Sequence, residues 1–150
     1  MNSNNKIYNT FNEVLVKLFN DIMHIEEKAI ITEEFKDISN NDMHIIEAIG
    51  ITEPKNMSQV AKTLSVTVGT LTIAINNLVK KGYVDRVRSE KDRRVVYISL
   101  SAKGRKAFAH HAKFHEEMIQ ATINGLSTEE VNVLVKSLEN LVGFFRDWQH

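Results

Sequence analysis

Two short amphipathic helices separated by only a few residues constrain the fold of this chain more than any other feature. Apolar residues recur at helical spacing from Val60 to Leu64 and again from Leu71 to Val79. Ser58 and Thr67 are predicted to be the N-caps of these helices, and Gly82 is predicted to end the second one. Two short helices joined by so short a turn are typical of a helix-turn-helix.

The apolar pattern changes to a period of two directly after Gly82. Segments 83–88 and 95–100 are rich in β-branched and aromatic residues, and the intervening residues 89–94 are all polar. This pattern predicts a β-hairpin with a charged tip. A hairpin in this position is called a wing, so the sequence predicts a winged helix-turn-helix.

Longer amphipathic helices flank this region on both sides. An apolar stripe runs from Ile7 to Ala29, and a short helix is predicted between an N-cap at Ser39 and Gly50. Further helices are predicted at 101–125 and after a capping box at 127–130. Because so small a domain has little core in which to bury long terminal helices, we expect their apolar stripes to pack against a second copy in a homodimer.

These elements together predict a mainly α protein: a winged helix-turn-helix DNA-binding domain with a two-stranded wing, flanked by N- and C-terminal dimerisation helices. A chain of 150 residues is expected to form a single domain. Within it we assign residues 37–100 to the DNA-binding lobe. Residues 1–31 and 101–150 are assigned to the dimerisation helices.

Composition excludes several classes of protein. The chain has no Cys, which excludes disulfides and thiolate metal sites. Its uncharged apolar stretches are far shorter than the roughly 20 residues that a membrane span needs. Its polar start does not resemble a signal peptide. We therefore expect a soluble, cytoplasmic protein that makes no membrane contact and needs no cofactor.

A net charge of zero hides a strong local asymmetry. Between Lys80 and Lys106 the chain has ten basic and three acidic residues, a local charge of +7. The remainder has nine basic and sixteen acidic residues, which gives −7. Because a polyanion responds to the local field and not to the total charge, the basic segment is predicted to face nucleic acid.

The second helix of the pair has the composition of a recognition helix, whose exposed face must be small or polar to enter a major groove about 12 Å wide. Gly69 permits close approach of the backbone, and Asn76 is predicted to read adenine through two hydrogen bonds. Positions 67–79 contain no Arg or Lys, so we predict an A·T-rich operator. The residues predicted to face DNA are Thr67, Gly69, Thr70, Thr72, Ile73, Asn76 and Asn77.

The tip of the wing carries the strongest positive charge. A hairpin of this length reaches the adjacent minor groove, where the negative potential is deepest over narrow A·T tracts. Asp92 is predicted to orient one of the two neighbouring arginines through a salt bridge. The wing residues predicted to contact DNA are Arg88, Lys91, Arg93 and Arg94. Lys80, Lys81, Lys103 and Arg105 are expected either to contact the DNA backbone or to be solvated.

Two segments give the chain a resemblance to the MarR family of bacterial transcriptional regulators. Segment 64–84 ends its recognition helix in Lys81-Gly82-Tyr83, and segment 92–104 combines Asp92-Arg93-Arg94 with Ser101 and Gly104 in a Ser-x-x-Gly cap. The resemblance extends over essentially the whole chain. It implies a homodimer that binds a pseudo-palindromic operator in double-stranded DNA.

Within that family the chain most resembles the fatty-acid biosynthesis repressors of Gram-positive bacteria. The residues that carry this likeness lie at 35–39, 43–44, 66–81, 92–96 and 113–115. The resemblance implies repression of membrane-lipid synthesis genes, strengthened by long-chain acyl groups on acyl carrier protein. An acyl chain would need an apolar slot, and the residues predicted to line it are Ile22, Met23, Met43, Phe108, Phe114 and Met118.

A metal-sensing regulator is an alternative. His111 and His115 are four residues apart and therefore lie on one helix face, a spacing that suits zinc, and His44 is a further possible ligand. Zinc-responsive members of the MarR family use His and Glu from comparable helices. However, Phe108 and Met118 share this face, which favours a buried, hydrogen-bonded histidine, so no metal site is predicted. A repressor that responds to another small molecule is also left open.

Two further classes compete with a DNA-binding regulator. An enzyme is not expected, since the chain has no nucleophile elbow, P-loop, dinucleotide fingerprint or His-Glu-x-x-His motif. A winged helix that acts only as a protein-interaction module is the other. Such modules often lose the basic wing tip, whereas this chain has Arg93 and Arg94 there.

Overall fold

The structure is a computed structural model that describes residues 3–148. Its elements, in chain order, are α1 (Ser3–Asn12), a π-helical segment (Glu13–Leu18), α2 (Phe19–Ile30), α3 (Asn40–Ile49), β1 (Lys55–Asn56), α4 (Met57–Thr63), α5 (Val68–Lys80), β2 (Val84–Arg88), β3 (Val96–Leu100), α6 (Ala102–Ile123) and α7 (Thr128–Trp148). They form two compact units that divide after Ala112. The mainly helical, winged architecture predicted from the sequence is confirmed.

The core of the first unit lies between α3, α4, α5 and the small sheet. Ile46 and Ile49 from α3, Ile75 from α5 and Ile98 from β3 are all completely buried. Fully burying an aliphatic side chain of this size contributes about 1.5–3 kcal/mol. The helical spacing of the apolar residues in α3 and α5 therefore places the helix-turn-helix on the sheet and leaves the opposite face of α5 to solvent.

Local capping fixes where the helices of the first unit begin. The Ser39 side chain accepts a hydrogen bond from the Asp42 amide at 3.0 Å, and the Asp42 carboxylate accepts one from the Ser39 amide at 3.1 Å. At α5, the Thr67 side chain accepts from the Thr70 amide at 3.2 Å. Gly82 follows α5 with φ +84°, a conformation that favours glycine. These predicted boundaries are confirmed.

The predicted cap of α4 is wrong, because Asn56, and not Ser58, is the N-cap. The Asn56 side chain accepts from the Gln59 amide, and the Gln59 side chain accepts from the Asn56 amide, both at 2.9 Å. Ser58 cannot form such a reciprocal pair because Ala61 stands three residues after it and has no side-chain acceptor.

The sheet has three strands in the order β1-β3-β2, whereas the sequence predicted two. β2 and β3 pair antiparallel from Val84 opposite Leu100 to Arg88 opposite Val96, which confirms the predicted hairpin. The added strand is the two-residue β1, where Lys55 lies opposite Ile98. Two residues are too few to show an alternating pattern, so no sequence signal indicated this strand.

The N-terminal stripe forms helix throughout, as predicted, but with a π-helical segment at Glu13–Leu18 between α1 and α2. The apolar side chains of this stripe up to Phe19 are exposed, and Ile7, Phe11 and Phe19 are each more than half accessible, whereas Ile22 and Ala29 are half-buried.

The second unit begins at Lys113 and contains α7, whose predicted capping box is confirmed. The Ser127 amide donates to the Glu130 carboxylate at 2.8 Å, and the Glu130 amide donates to the Ser127 hydroxyl at 3.2 Å. Within the described residues, α7 has no buried side chain. Its apolar side chains are exposed, and Phe144 packs against the rings of Phe145 and Trp148 with centroids 5.4 and 5.8 Å apart.

Among residues 3–148, no helix combines the length and the apolar character that crossing a bilayer requires.

Candidate nucleic-acid interface

The helix α5 separates the residues predicted to face DNA from those that anchor the helix. Leu71, Ile75 and Leu78 are at most 1% exposed and face the core. On the other side, Thr72 is half-buried and the remaining predicted residues are exposed, with Ile73 at 68%. The predicted face is therefore open to solvent. The residues of this face, called here the recognition face, are Thr67, Gly69, Thr70, Thr72, Ile73, Asn76 and Asn77.

The N-terminal end of the recognition face is ordered by its own hydroxyl groups. The hydroxyls of Thr67 and Thr70 lie 2.9 Å apart, and the Thr72 hydroxyl donates to the Val68 carbonyl at 2.7 Å. A Cβ added at Gly69 would meet only the Thr67 side chain, at 3.9 Å. Nothing inside the protein therefore requires glycine at position 69, which is consistent with a role in close approach by an external molecule.

One cation from the wing lies on the recognition face, and the sequence did not predict it. The Arg86 guanidinium on β2 donates a hydrogen bond to Oδ1 of Asn76 on α5. Both side chains are exposed. The two residues belong to different elements, so no spacing rule links them. The only available signal was that Arg86 lies within the basic segment.

At the wing tip, defined as residues 88–95, Asp92 orients Arg94 as predicted. The Asp92 carboxylate accepts from the Arg94 backbone amide at 3.0 Å and from the Arg94 side chain at 3.1 and 3.3 Å. These hydrogen bonds hold the pKa of Asp92 below its usual value. The Arg94 side chain stays 91% exposed, so the salt bridge directs the guanidinium without burying it.

The other wing cations are unengaged. Within residues 3–148, no hydrogen bond or ion pair holds the side chains of Arg88, Lys91 or Arg93, and all three are exposed. Their charges are therefore available to an external anion, and the DNA contact that the sequence predicts for these residues stays a prediction.

Two lysines nearer the core, Lys81 and Lys103, form ion pairs with carboxylates. Lys81 donates to Oδ2 of Asp42 at 2.8 Å and to the backbone carbonyl of Asp37 at 2.7 Å. Lys103 lies 3.9 Å from the Asp37 carboxylate and donates to the Lys81 carbonyl at 3.2 Å. Lys81 and Lys103 therefore join parts of the first unit to one another and are not simply solvated, and a contact of either lysine with the DNA backbone stays a prediction.

Tyr83 completes this arrangement. Its hydroxyl donates to the Asp37 carboxylate at 2.5 Å, and the Lys103 ammonium lies 4.3 Å from the centre of its ring. Burial, followed by the Asp37 carboxylate, raises the pKa of Tyr83, and the Tyr83 hydrogen bond lowers the pKa of Asp37. We call this group of five residues the Asp37 cluster: Asp37, Asp42, Lys81, Tyr83 and Lys103.

The predicted Ser-x-x-Gly cap connects α6 to the same place. The Ser101 hydroxyl accepts from the Gly104 amide at 3.1 Å and donates to the Gly82 carbonyl at 2.5 Å. A Cβ at Gly104 would lie 2.1 Å from the Tyr83 carbonyl oxygen. Glycine is therefore required at position 104 by the close approach of the two backbones.

The residues predicted to line an acyl pocket divide between the two units. The first unit contains Ile22, Met23, Met43 and Phe108, and the second contains Phe114 and Met118. Met43 is only 1% exposed, and the gap that it lines is too small to hold a water molecule. Met43 is therefore part of the core, and an acyl chain would reach it only by displacing core side chains.

The histidines considered as metal ligands occupy different environments. His111 is 2% exposed, and its Nε2 lies 2.9 Å from Glu47 Oε1 and 3.2 Å from Glu26 Oε1. This contact joins α6 to α2 and α3. His44 is exposed on α3, and His115 is half-buried in the second unit. The expectation of a buried histidine bonded to polar partners holds for His111.

A solved structure decides the family. The chain is 46% identical to FabT of Streptococcus pneumoniae, which was crystallised in complex with DNA, and the match covers 94% of this chain and 99% of that one with a TM-score of 0.84. The chain belongs to the MarR family of transcriptional regulators. It is accordingly a DNA-binding transcriptional regulator with a winged helix-turn-helix.

Other comparisons agree with this assignment. The family described as "Transcriptional regulator SarA/Rot" matches residues 28–111. The regulator PchR of Bacillus subtilis is 24% identical in an alignment 145 residues long, and the match covers 86% of each chain. A mutant of MepR from Staphylococcus aureus, solved bound to an oligodeoxyribonucleotide, is 26% identical with a TM-score of 0.57 over 86% of this chain and 96% of that one. These relatives are regulators and not enzymes, in agreement with the sequence-based expectation.

Proposed function

We propose that this MarR-family regulator represses fatty-acid biosynthesis genes, with long-chain acyl-acyl carrier protein as its corepressor. The observation that carries the proposal is the 46% identity to FabT over 94% of the chain. The residues that gave the sequence its likeness to the fatty-acid biosynthesis repressors include the recognition helix and the wing. This resemblance at the elements proposed to contact DNA favours a related operator.

We further propose that the protein acts in the cytoplasm as a homodimer on a pseudo-palindromic operator. Exposed apolar side chains on the N-terminal helix and on α7 support pairing with a second copy, since large apolar patches on a surface usually mark an interface. In this proposal, residues 37–100 contact DNA through the recognition face and the wing tip, and residues 1–31 and 101–150 form the dimer. Two recognition helices related by a two-fold axis would bind half-sites about 10 base pairs apart.

The gene assignment is tested by fluorescence anisotropy on promoter fragments from the fatty-acid biosynthesis genes of the source organism. Binding should be at least tenfold tighter than to promoters of unrelated genes at the same salt concentration. Adding acyl carrier protein loaded with a C16 or C18 chain should tighten it further. Acyl carrier protein without an acyl chain is the control and should have no effect.

Three results would contradict parts of the proposal. Equal binding to lipid and unrelated promoters would reject the target genes. Unchanged or weakened operator binding with the acylated carrier would reject the corepressor and leave DNA binding intact. A sedimentation measurement that finds a monomer at micromolar concentration would reject the dimer.

A metal-responsive regulator is the second candidate, because two carboxylates converge on one buried imidazole. Glu26 and Glu47 approach Nε2 of His111, and imidazole and carboxylate are both zinc ligands. His44 and His115 are the other predicted ligands. Titration calorimetry of metal-stripped protein with Zn²⁺ tests this candidate. Sub-micromolar binding that is lost in His111→Ala and that changes operator affinity would establish it, and the absence of binding would reject it.

A further inference from the structure

The recognition face carries an amide whose oxygen is already engaged. Arg86, on the strand that packs against α5, donates from its guanidinium to Oδ1 of Asn76. Asn76 directly follows the buried Ile75, which anchors this part of the helix in the core. The amide is therefore held at both ends, through the helix backbone on one side and through the wing on the other.

The chemistry of the two groups determines which atoms remain for DNA. A guanidinium is always charged at neutral pH and has only N–H donors, so it binds the oxygen of an amide and not its nitrogen. A free asparagine side chain flips and offers either its carbonyl oxygen or its NH2 group. With Oδ1 bound to Arg86, the NH2 group of Asn76, a donor of two hydrogen bonds, is the end of this exposed side chain that has no hydrogen bond within residues 3–148.

We propose that Arg86 is a positioning residue for base recognition, which fixes the Asn76 amide so that the recognition helix presents a hydrogen-bond donor to a keto base, guanine or thymine. In the major groove, guanine O6 and thymine O4 accept hydrogen bonds, whereas adenine and cytosine present amino groups at the corresponding place. At that place in the groove a fixed NH2 group therefore selects keto over amino bases, whereas a contact with N7 would not distinguish guanine from adenine. The two-bond contact with adenine that the sequence suggested needs Oδ1 as the acceptor for the adenine amino group, and Arg86 already uses one of the two lone pairs of this oxygen and holds it toward β2.

The chain supplies a matched control for each partner. Arg88 lies two residues after Arg86 and so on the same face of β2, and no hydrogen bond or ion pair within residues 3–148 holds its side chain. Asn77 is adjacent to Asn76, is exposed, and has no side-chain hydrogen bond within that same range. Substitutions at these two positions change charge and amide content equally without touching the Asn76–Arg86 contact.

The test measures base discrimination and not affinity alone. The full-length wild-type protein first selects its operator from random DNA, and every base pair of one half-site is then changed to each alternative. We expect Asn76→Ala to abolish a preference of about fivefold to tenfold for guanine or thymine at one position. Arg86→Ala should reduce the preference at that same position by at least about threefold. The double variant should lose no more than Asn76→Ala, because both act through one contact.

The controls separate positioning from electrostatics. Arg88→Ala should weaken binding to every operator by the same factor. Asn77→Ala should leave the base preference unchanged at the position that Asn76 contacts, whatever its effect on total affinity. Arg86→Lys keeps a charged donor and should restore part of the preference, and thermal unfolding confirms that each variant folds.

Three outcomes would overturn the proposal. The first is a uniform loss for Arg86→Ala that matches Arg88→Ala. The second is a double variant, Asn76→Ala with Arg86→Ala, whose loss of base preference equals the sum of the losses of the two single variants. The third is a preference for adenine or cytosine at the position that depends on Asn76. The inference rests on DNA binding by α5, but random-DNA selection makes the result independent of which genes the protein controls.

Discussion

The basic residues of the wing tip and those of the Asp37 cluster lie in the same segment of the sequence, but the former are exposed and the latter bind carboxylates within the protein. At the tip, Arg93 is exposed with no partner among the described residues, and Arg94 stays 91% exposed beside Asp92. In the Asp37 cluster, the Lys81 side chain is 33% exposed and binds the carboxylate of Asp42, whose side chain is 11% exposed. A local charge of +7 therefore overstates the field that DNA meets, because part of it neutralises acidic groups within the protein.

The largest effect is expected when the tip loses its arginines. Replacing Arg93 and Arg94 together with Ala should weaken operator binding about 100-fold near physiological salt, since each arginine that contacts DNA contributes about 1–3 kcal/mol. The plot of log affinity against log salt should also become shallower by about 0.9 for each phosphate group that the protein no longer neutralises. Anisotropy titrations between 50 and 300 mM salt measure both quantities. An unchanged salt slope would show that the tip does not bind phosphate groups.

The next largest effect is expected in the Asp37 cluster, where a substitution should lower the free energy of unfolding. Lys81→Met removes the cation from Asp42 and a donor from the Asp37 carbonyl. We expect the free energy of unfolding in urea to fall by about 1–2 kcal/mol, because the pair is partly buried. Lys91→Met, at the exposed tip, is the matched control and should unfold as the wild type does. Equal stability of the two variants would mean that the two groups of cations do not differ.

Tyr83→Phe should change how the free energy of unfolding depends on pH, which Lys91→Met at the exposed wing tip should not do. Its hydrogen bond to Asp37 is worth about 1 kcal/mol at neutral pH. Because the pKa of Tyr83 is raised in the folded protein, its contribution is complete below the ordinary tyrosine pKa of about 10 and is lost as the pH rises above that value. Because the pKa of Asp37 is lowered, that contribution is lost as the pH falls below about 4. Urea unfolding from pH 3 to 11 should show both declines weakened in the variant.

The smallest effect is expected at Asp92. Asp92→Ala frees the backbone and the guanidinium of Arg94. Operator affinity should fall about threefold, because a guanidinium that is no longer oriented loses more side-chain entropy when it binds. The fall should be constant from pH 5 to 8, since Arg94 lowers the pKa of Asp92 and keeps it ionised there. Tighter binding by the variant would mean that Asp92 acts only as a repelling charge.

Much of the candidate interface was predictable because it depends on local pattern. The cap at Thr67, the buried side of α5 and the Asp92–Arg94 salt bridge involve residues a few positions apart, and the hairpin joins two strands that are adjacent in the sequence. One local prediction failed, the cap of α4, where the reciprocal pair Asn56 and Gln59 was overlooked in favour of Ser58. The other predictions that failed or were incomplete depend on distant residues or on very short elements. β1 has two residues, and Met43 was assigned to a pocket although packing by the surrounding elements closes it off from solvent.

The amino-acid sequence alone determined where α3, α5 and α7 begin, which face of α5 is apolar and where positive charge accumulates. Only the tertiary structure decided which cations are free. Lys81 meets Asp42 across 39 residues, and Tyr83 meets Asp37 across 46. The same is true of Arg86, which reaches Asn76 from a neighbouring element. The physical reason is that hydrogen bonds and ion pairs depend on distance in space, and the spacing of residues along the chain specifies that distance only within one helix, strand or turn.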